Sequence, residues 1–305
     1  MRHLLSIADL TSDELFELLK LAEKLKDERY KGLVTDYLKN KSLAMIFELP
    51  STRTRVSFEV AMTDLGGHAL YLGWNDLQLG RGEPIKDTAR VLSRYVHAVM
   101  MRVRDHSTIE EFAKYSTVPV INGLSNLEHP CQVLADLLTI YEYRGDLKDV
   151  TLAWVGDGNN VCNSLILASA LTGMRMVVAT PPNYEPDARI LERAKEMGGD
   201  IVLLRDPKKA VEEADVIYTD VWTSMGQEKE RNERLAAFKG YQVSDELIKL
   251  SKDDVVVMHC LPAHRGEEIT DEVIEGKHSI IFDQAENRLH AQKAVLLKLI
   301  GKEDE

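Results

Sequence analysis

The feature that most constrains this chain is an alternation of strand and helix patterns that runs once, stops and starts again. Residues 42–49 form a short apolar run that reads as a strand. A helix pattern covers 54–65, with Val56, Val60, Ala61 and Leu65 on one side and Gly66-Gly67 as its stop. Strand 68–74, helix 86–95 and strand 97–103 follow. Ser107 with Glu110 reads as a capping box for helix 108–115, ahead of strand 118–121 and helix 130–143. Near Gly145 the pattern restarts with strand 151–156, helix 160–172, strand 175–180 and helix 187–197. Strand 201–204, a short helix 207–213 and strand 215–219 continue it. The polar stretch 223–252 reads as helical pieces and loop. Strand 255–259, a helix near 270–275, strand 279–282 and a helix over 287–300 close the chain. Strands alternating with helices predict an α/β protein whose parallel sheets are covered on both faces. Two runs in 305 residues predict two doubly wound parallel-sheet domains divided near residue 145.

Composition excludes several functions. The net charge of −12 argues against nucleic-acid partners, which need a basic face, and against anionic membrane surfaces. No apolar run approaches the ~20 residues of a membrane span. The N-terminal residues soon meet Asp9, Asp13 and Glu14, so no signal-peptide core is expected. Cys131, Cys162 and Cys260 form no CxxC pair and predict a reduced, cytoplasmic setting. The charge is also uneven. Residues 1–145 hold 18 basic and 20 acidic side chains, and 146–305 hold 20 and 30.

In doubly wound folds, ligands bind beyond the carboxyl ends of the strands. The first strand is followed by Pro50-Ser51-Thr52-Arg53-Thr54-Arg55, which opens a helix. Hydroxyls, helix N–H groups and arginines together make an anion site, and the motif points to phosphate. Arg102 ends the third strand. After the fourth come His129-Pro130-Cys131-Gln132, with His129 and Gln132 spaced to face one way. Taken alone, that pair reads first as a helix cap with ordinary polar flanks. In the second half, Gly156-Asp157-Gly158-Asn159-Asn160 resembles the start of a dinucleotide fingerprint, but Val161 takes the third glycine position and no acidic residue ends the next strand. A nicotinamide or flavin site is disfavoured. Asn159 and Asn160 suit either a carboxylate ligand or simple capping. Asp220, in Asp220-Val221-Trp222-Thr223-Ser224-Met225-Gly226, suits an ammonium group. Trp222 and Met225 suit core packing. His259-Cys260-Leu261-Pro262 follows the densest strand. Alternation along that strand points His259 and Cys260 to opposite faces and makes the imidazole a poor base for the thiol.

Together, and in this order along nearly the whole chain, these motifs resemble the transcarbamoylase family. Asp220 to Gly226 and His259-Cys260-Leu261-Pro262 resemble its ornithine-specific branch. The resemblance implies an active site in the cleft between two domains, with the C-terminal helix packing back on the first. It implies a carbamoyl phosphate-binding domain over 1–145, joined by the helix of about 287–305, and an ornithine-binding domain over 146–286. The implied reaction takes carbamoyl phosphate and L-ornithine to L-citrulline and phosphate, with no metal and no organic cofactor. Ser51, Thr52, Arg53 and Thr54 would hold the phosphate, and Arg102, His129 and Gln132 the carbamoyl group. Asn160, Asp220, Ser224 and Met225 would hold ornithine. Cys260 and Leu261 would sit at the reacting centre, and Arg288 would reach carbamoyl phosphate. Arg102, His129 and Cys260 carry the catalytic assignment. Gln78 matches a loop that enters a neighbouring subunit's site in the family, whose unit is a trimer or a multiple of trimers.

The implied chemistry suits the residues. Donors from Thr54, Arg102 and His129 would stabilise a developing oxyanion. The attacking amine resembles Lys, with a pKa of ~10.4, and desolvation would lower it. No side chain has to form a covalent intermediate, so direct transfer by orientation and electrostatics is the expected course. The rivals are a transcarbamoylase for putrescine or an acetylated ornithine, a nucleotide-dependent dehydrogenase, and a non-catalytic sensor on the same fold. The sensor would be expected to lack Arg53, His129 or Cys260, and all three are present.

Overall fold

The computed structural model describes residues 2–33, 35–224 and 228–301. The chain divides into two compact units, Met1–Leu138 with Glu286–Glu305, and Thr139–Ala285.

The first unit opens with helix α1 (Ser12–Tyr30). Its start is a capping box: Thr11 accepts from the Glu14 N–H, and the Glu14 carboxylate accepts from the Thr11 N–H. The strand–helix alternation begins only at residue 42 and leaves this helix out. Next come β1 (Ser42–Phe47), α2 (Thr52–Asp64), β2 (His68–Gly73), α3 (Ile85–Leu92), β3 (Ala98–Arg102), α4 (His106–Tyr115), β4 (Val120–Leu124) and α5 (Pro130–Arg144). The four strands are parallel, in the order β2-β1-β3-β4. β1 and β3 are almost wholly buried, as strands covered on both faces must be.

The second unit holds β5 (Thr151–Val155), α6 (Asn160–Thr172), β6 (Arg175–Ala179), α7 (Ala188–Glu196), β7 (Asp200–Leu204), α8 (Pro207–Val211) and β8 (Val216–Thr219). Helices α9 (Arg231–Ala237) and α10 (Asp245–Ile248), strand β9 (Val256–His259) and α11 (Asp271–Ile274) complete it. Its parallel order is β7-β6-β5-β8-β9. Helix α12 (Ile281–Ile300) carries the chain from this unit back into the first.

Three expectations are corrected. Helix α4 begins at His106, so Ser107 lies inside it and caps nothing. Asp105 stands at the cap without a side-chain bond, and the His106 N–H is taken instead by Asn126 Oδ1 at 3.0 Å. Residues 279–282 form no strand. Ser279 makes only an isolated bridge to Val257, and α12 starts six residues before 287. Short apolar runs such as Ile280-Ile281 fit either state by pattern, and here the Gln284 N–H bonds to the Ile280 carbonyl to open the helix. Val56 is 52% exposed rather than inward. The buried stripe of α2 is Thr54, Phe58, Ala61 and Met62, a helical spacing that turns a threonine, not a valine, to the interior.

Each sheet has one point where its strand order reverses. In the first unit this lies between β1 and β3, where Phe47 and Arg102 are register partners. In the second it lies between β5 and β8. Crevices at such points open beyond the strands' carboxyl ends.

Candidate active site

In the first unit, β1 runs into α2 through Ser51. Ser51 is extended, with φ −162° and ψ 119°, and its hydroxyl accepts from the Thr54 N–H at 3.2 Å. The N–H groups of the first turn have no carbonyl within the helix to bond. Thr52 is exposed and Arg53 half-buried on that turn. Thr54 is buried, and its hydroxyl accepts from Arg288 Nη2 at 3.1 Å. Arg288 Nη1 donates to Gln132 Oε1 at 2.6 Å. α2, α5 and α12 thus meet through three side chains. Arg55, the second arginine of the motif, is engaged elsewhere. Its Nε lies 3.0 Å from Glu59 Oε1, and its guanidinium stacks on Tyr71 at 3.9 Å.

Arg102 is buried at the end of β3, and its carbonyl accepts from the Glu48 N–H at 2.9 Å. The Glu48 carboxylate accepts from the Arg104 N–H at 2.8 Å, which ties the approach to Ser51 to the segment after Arg102. Glu48 carries no motif, and sequence pattern does not single it out. His129 is buried just before α5. Burial pushes its imidazole well below the usual range, and the guanidinium groups of Arg288, Arg102 and Arg53 push it the same way. It is therefore a neutral ring among cations, suited to donate one N–H. Gln78 opens the turn Gln78–Arg81, exposed, and its side chain bonds to none of these residues. Cys131 is inert. Its thiol is buried and pushed up to about 12.

In the second unit, the loop after β5 meets the end of β8. Asn159 caps α6, with Oδ1 accepting from the N–H groups of Val161 and Cys162. Its Nδ2 donates to Asp220 Oδ2 at 2.7 Å. Asn159 therefore does the capping and orients the carboxylate, while Asn160 is half-buried at the first helical position. Asp220 is 7% exposed, and its Oδ1 accepts from the Val221 N–H. Gly158 has no room for a side chain, since a Cβ would lie 2.2 Å from the Pro186 nitrogen. Trp222 packs in the core and stacks on Phe238 at 5.6 Å. Ser224 is half-buried, and Met225 lies outside the described residues.

Asp157 and Arg234 form an ion pair at 3.0 Å that no motif announces. Arg234 also donates to the Trp222 carbonyl at 2.9 Å and lies over the Tyr184 ring, so it fastens the segment after Asp220. Burial pushes Asp157 up to about 6, even though Arg234 opposes the rise.

β9 ends at His259, so Cys260 lies beyond it and strand alternation does not govern the pair. A ligand atom of His259, one of Cys260 and one of Asp220 lie within 4.8 Å of one another. The ring is nonetheless no base for the thiol. Its Nδ1 accepts from the Leu261 N–H at 2.8 Å, which leaves the proton on Nε2, 3.0 Å from Glu268 Oε1. With both nitrogens engaged, His259 has no lone pair for a metal ion. Leu261 has φ +58°, a left-handed conformation rare for leucine, and the bond from its N–H to the imidazole holds it there.

The fold is that of an α/β protein of two doubly wound units, with a buried cluster of Thr54, Arg288 and Gln132 in the first and a buried carboxylate, Asp220, oriented by Asn159 in the second. Residues 2–142 match "Aspartate/ornithine carbamoyltransferase, carbamoyl-P binding domain", and residues 148–299 match the "Asp/Orn binding domain" of the same description. The chain belongs to the aspartate/ornithine carbamoyltransferase family. It is 84% identical over 305 residues to an ornithine carbamoyltransferase of Archaeoglobus fulgidus, covering 100% of this chain and 99% of that one. The solved ornithine carbamoyltransferase of Pyrococcus furiosus is 57% identical, superposes with a TM-score of 0.95, and covers 99% and 98% of the two chains. That of Thermus thermophilus is 48% identical, with a TM-score of 0.90 over 98% and 99%. Among the described residues, no helix is long and apolar enough to cross a membrane.

Proposed function

We propose that the protein transfers the carbamoyl group of carbamoyl phosphate to the δ-amine of L-ornithine, giving L-citrulline and phosphate. One observation carries this: a cradle of Arg288, Thr54 and Gln132 stands beyond β1 in the first unit, while Asp220, held by Asn159, stands beyond β8 in the second. The first unit takes a compact dianion and the second a cationic amino acid. Ser51, Thr52, Arg53 and the α2 N–H groups bind the phosphate. Arg102, His129 and Gln132 bind the carbamoyl group, and Arg288 neutralises charge on the leaving phosphate. Neutral His129 donates an N–H to the carbonyl oxygen as it gains charge. Asp220 attracts an ammonium group, Asn160 and Ser224 complete the amino-acid site, and Met225 is assigned there by resemblance alone. Cys260 and the Leu261 carbonyl face the amine. The amine attacks the carbonyl carbon, phosphate departs with the bonding pair, and the amine's proton leaves to solvent or phosphate. No acyl-enzyme forms.

The same reading makes the chain a cytoplasmic, homo-oligomeric enzyme of arginine biosynthesis, a trimer or a multiple of trimers, with Gln78 offered to a neighbouring copy. The open edge strand β2, with Leu70 and Tyr71 each 39% exposed, supports burial against another copy. Citrulline formation from carbamoyl phosphate and ornithine, with putrescine and aspartate as control amines, tests the activity. Turnover of putrescine at the rate of ornithine would overturn the amino-acid assignment. An isolable carbamoyl-enzyme would overturn direct transfer.

A further inference from the structure

Four side chains of the first unit form one hydrogen-bonded line, and the chemistry above uses only three of them. Asp136 Oδ1 accepts from Gln132 Nε2 at 2.8 Å. Gln132 Oε1 accepts from Arg288 Nη1 at 2.6 Å, and Arg288 Nη2 donates to Thr54 Oγ1 at 3.1 Å. From Asp136 to Thr54 the exposures are 0%, 1%, 3% and 1%. Asp136 sits one helical turn after Gln132 on α5, the spacing at which two side chains meet.

The two ends of an amide are alike in shape, and only their partners tell them apart. Here the partners leave one choice. A guanidinium only donates, so the Gln132 carbonyl must face Arg288. A carboxylate accepts, so the Gln132 amino group must face Asp136. In the free enzyme Arg288 enforces this polarity as well. A bound phosphate dianion competes for that guanidinium, whereas Asp136, at the far end of the amide and fully buried, keeps its hold.

We propose that Asp136 is a positioning residue: it fixes the Gln132 amide with its carbonyl toward the substrate and so makes the site select an acyl phosphate that bears an NH2 group. The inference rests on the reading of this unit as the carbamoyl phosphate site. A carbamoyl NH2 donates to the Gln132 carbonyl. A methyl group in its place leaves that buried carbonyl with one acceptor site unfilled. Gln132 with reversed polarity would present its own NH2 to the ligand's and lose the preference.

Calorimetric titration with two stable ligands tests this. Phosphonoacetamide keeps the amide, and acetonylphosphonate replaces its NH2 by methyl. Wild-type protein should prefer the amide roughly tenfold to a hundredfold, the worth of one strong hydrogen bond. Asp136→Asn keeps the volume and allows either polarity, and Asp136→Ala removes the partner. Both should cut the preference about tenfold while acetonylphosphonate binds as before. An unchanged preference in both variants, or equal weakening of both ligands, overturns the proposal. Wild-type protein that binds neither ligand overturns the carbamoyl phosphate reading itself, which separates that failure from a failure of Asp136.

Discussion

Replacing Asp157 by asparagine should flatten the protein's stability against pH. The carboxylate is 9% exposed and paired with Arg234, yet burial holds it at about 6 against an unfolded value of about 3.9. Its folded pKa is raised, so its contribution runs opposite to that of most carboxylates. The stabilisation is full below pH ~4 and lost as pH rises through about 6, because the folded state must then carry a poorly solvated charge. The gap corresponds to about 3 kcal/mol between those limits. Asparagine keeps the shape and an acceptor for Arg234 but cannot ionise. Urea unfolding followed by tryptophan fluorescence reports on this region. Trp154 Nε1 bonds to the Asp157 carbonyl at 2.9 Å, and the Trp222 carbonyl accepts from Arg234. The diagnostic quantity is the difference between wild type and Asp157→Asn, measured from pH 4 to pH 7.5. Over that window it should fall by about 2 kcal/mol as pH rises, whatever the variant's absolute stability. Parallel curves would show that the ion pair fully offsets desolvation and would refute the reasoning.

Four further outcomes follow from the site. Arg53→Gln should weaken carbamoyl phosphate binding about tenfold to a hundredfold by calorimetry, since a charge-assisted contact is lost. Thr54→Val keeps the volume but removes the acceptor for Arg288, and should raise KM for carbamoyl phosphate about tenfold with the fold intact by circular dichroism. Asp220→Asn should raise KM for ornithine while leaving carbamoyl phosphate affinity in place. The His129 ring should stay neutral from pH 6 to pH 8 by 15N chemical shift, because burial and three arginines all act against protonation. A titration there with a midpoint near 6.5 would contradict the assigned environment.

Much of the fold was legible because parallel strands buried on both faces read as dense apolar runs. β1, β3, β5 and β9 all do. The failures have physical causes. α1 lies outside the alternation, although Thr11, Glu14 and the apolar stripe of Leu15, Leu18, Leu19, Ala22 and Leu25 announce it. Ile280-Ile281 is too short an apolar run for pattern to tell helix from strand. Apolar residues alone point Val56 inward, whereas Thr54 turns inward to meet Arg288 and Val56 stays exposed. The candidate side chains were legible where a strand end or helix start carries a dense motif. Their supports were not. Glu48, Asp136, Asn159, Arg234 and Glu268 act through bonds to Arg104, Gln132, Asp220, Asp157 and His259. Only in Asp136 does a helical spacing of four hint at the partner. The other partners lie nine to 77 residues away, and the pattern at Asn159 offers a ligand carboxylate or a cap, not Asp220 as the partner.

The net charge of −12 shows why whole-chain arithmetic and site chemistry answer different questions. A chain so acidic repels polyanions, yet its first unit places Arg53, Arg102 and Arg288 close enough to His129 to add to burial in suppressing its protonation. Arg55 adds to the formal charge of that half but not to the cradle, since Glu59 and Tyr71 hold it. Buried charges act through a low effective dielectric, while exposed ones are screened within about 10 Å. Three half-buried or buried arginines therefore set the potential at the cradle, and the surplus of surface carboxylates sets solubility. The same logic supports the proposal that Asp220, 7% exposed and fixed by two donors, rather than the chain's exposed acids, selects a cationic amino acid.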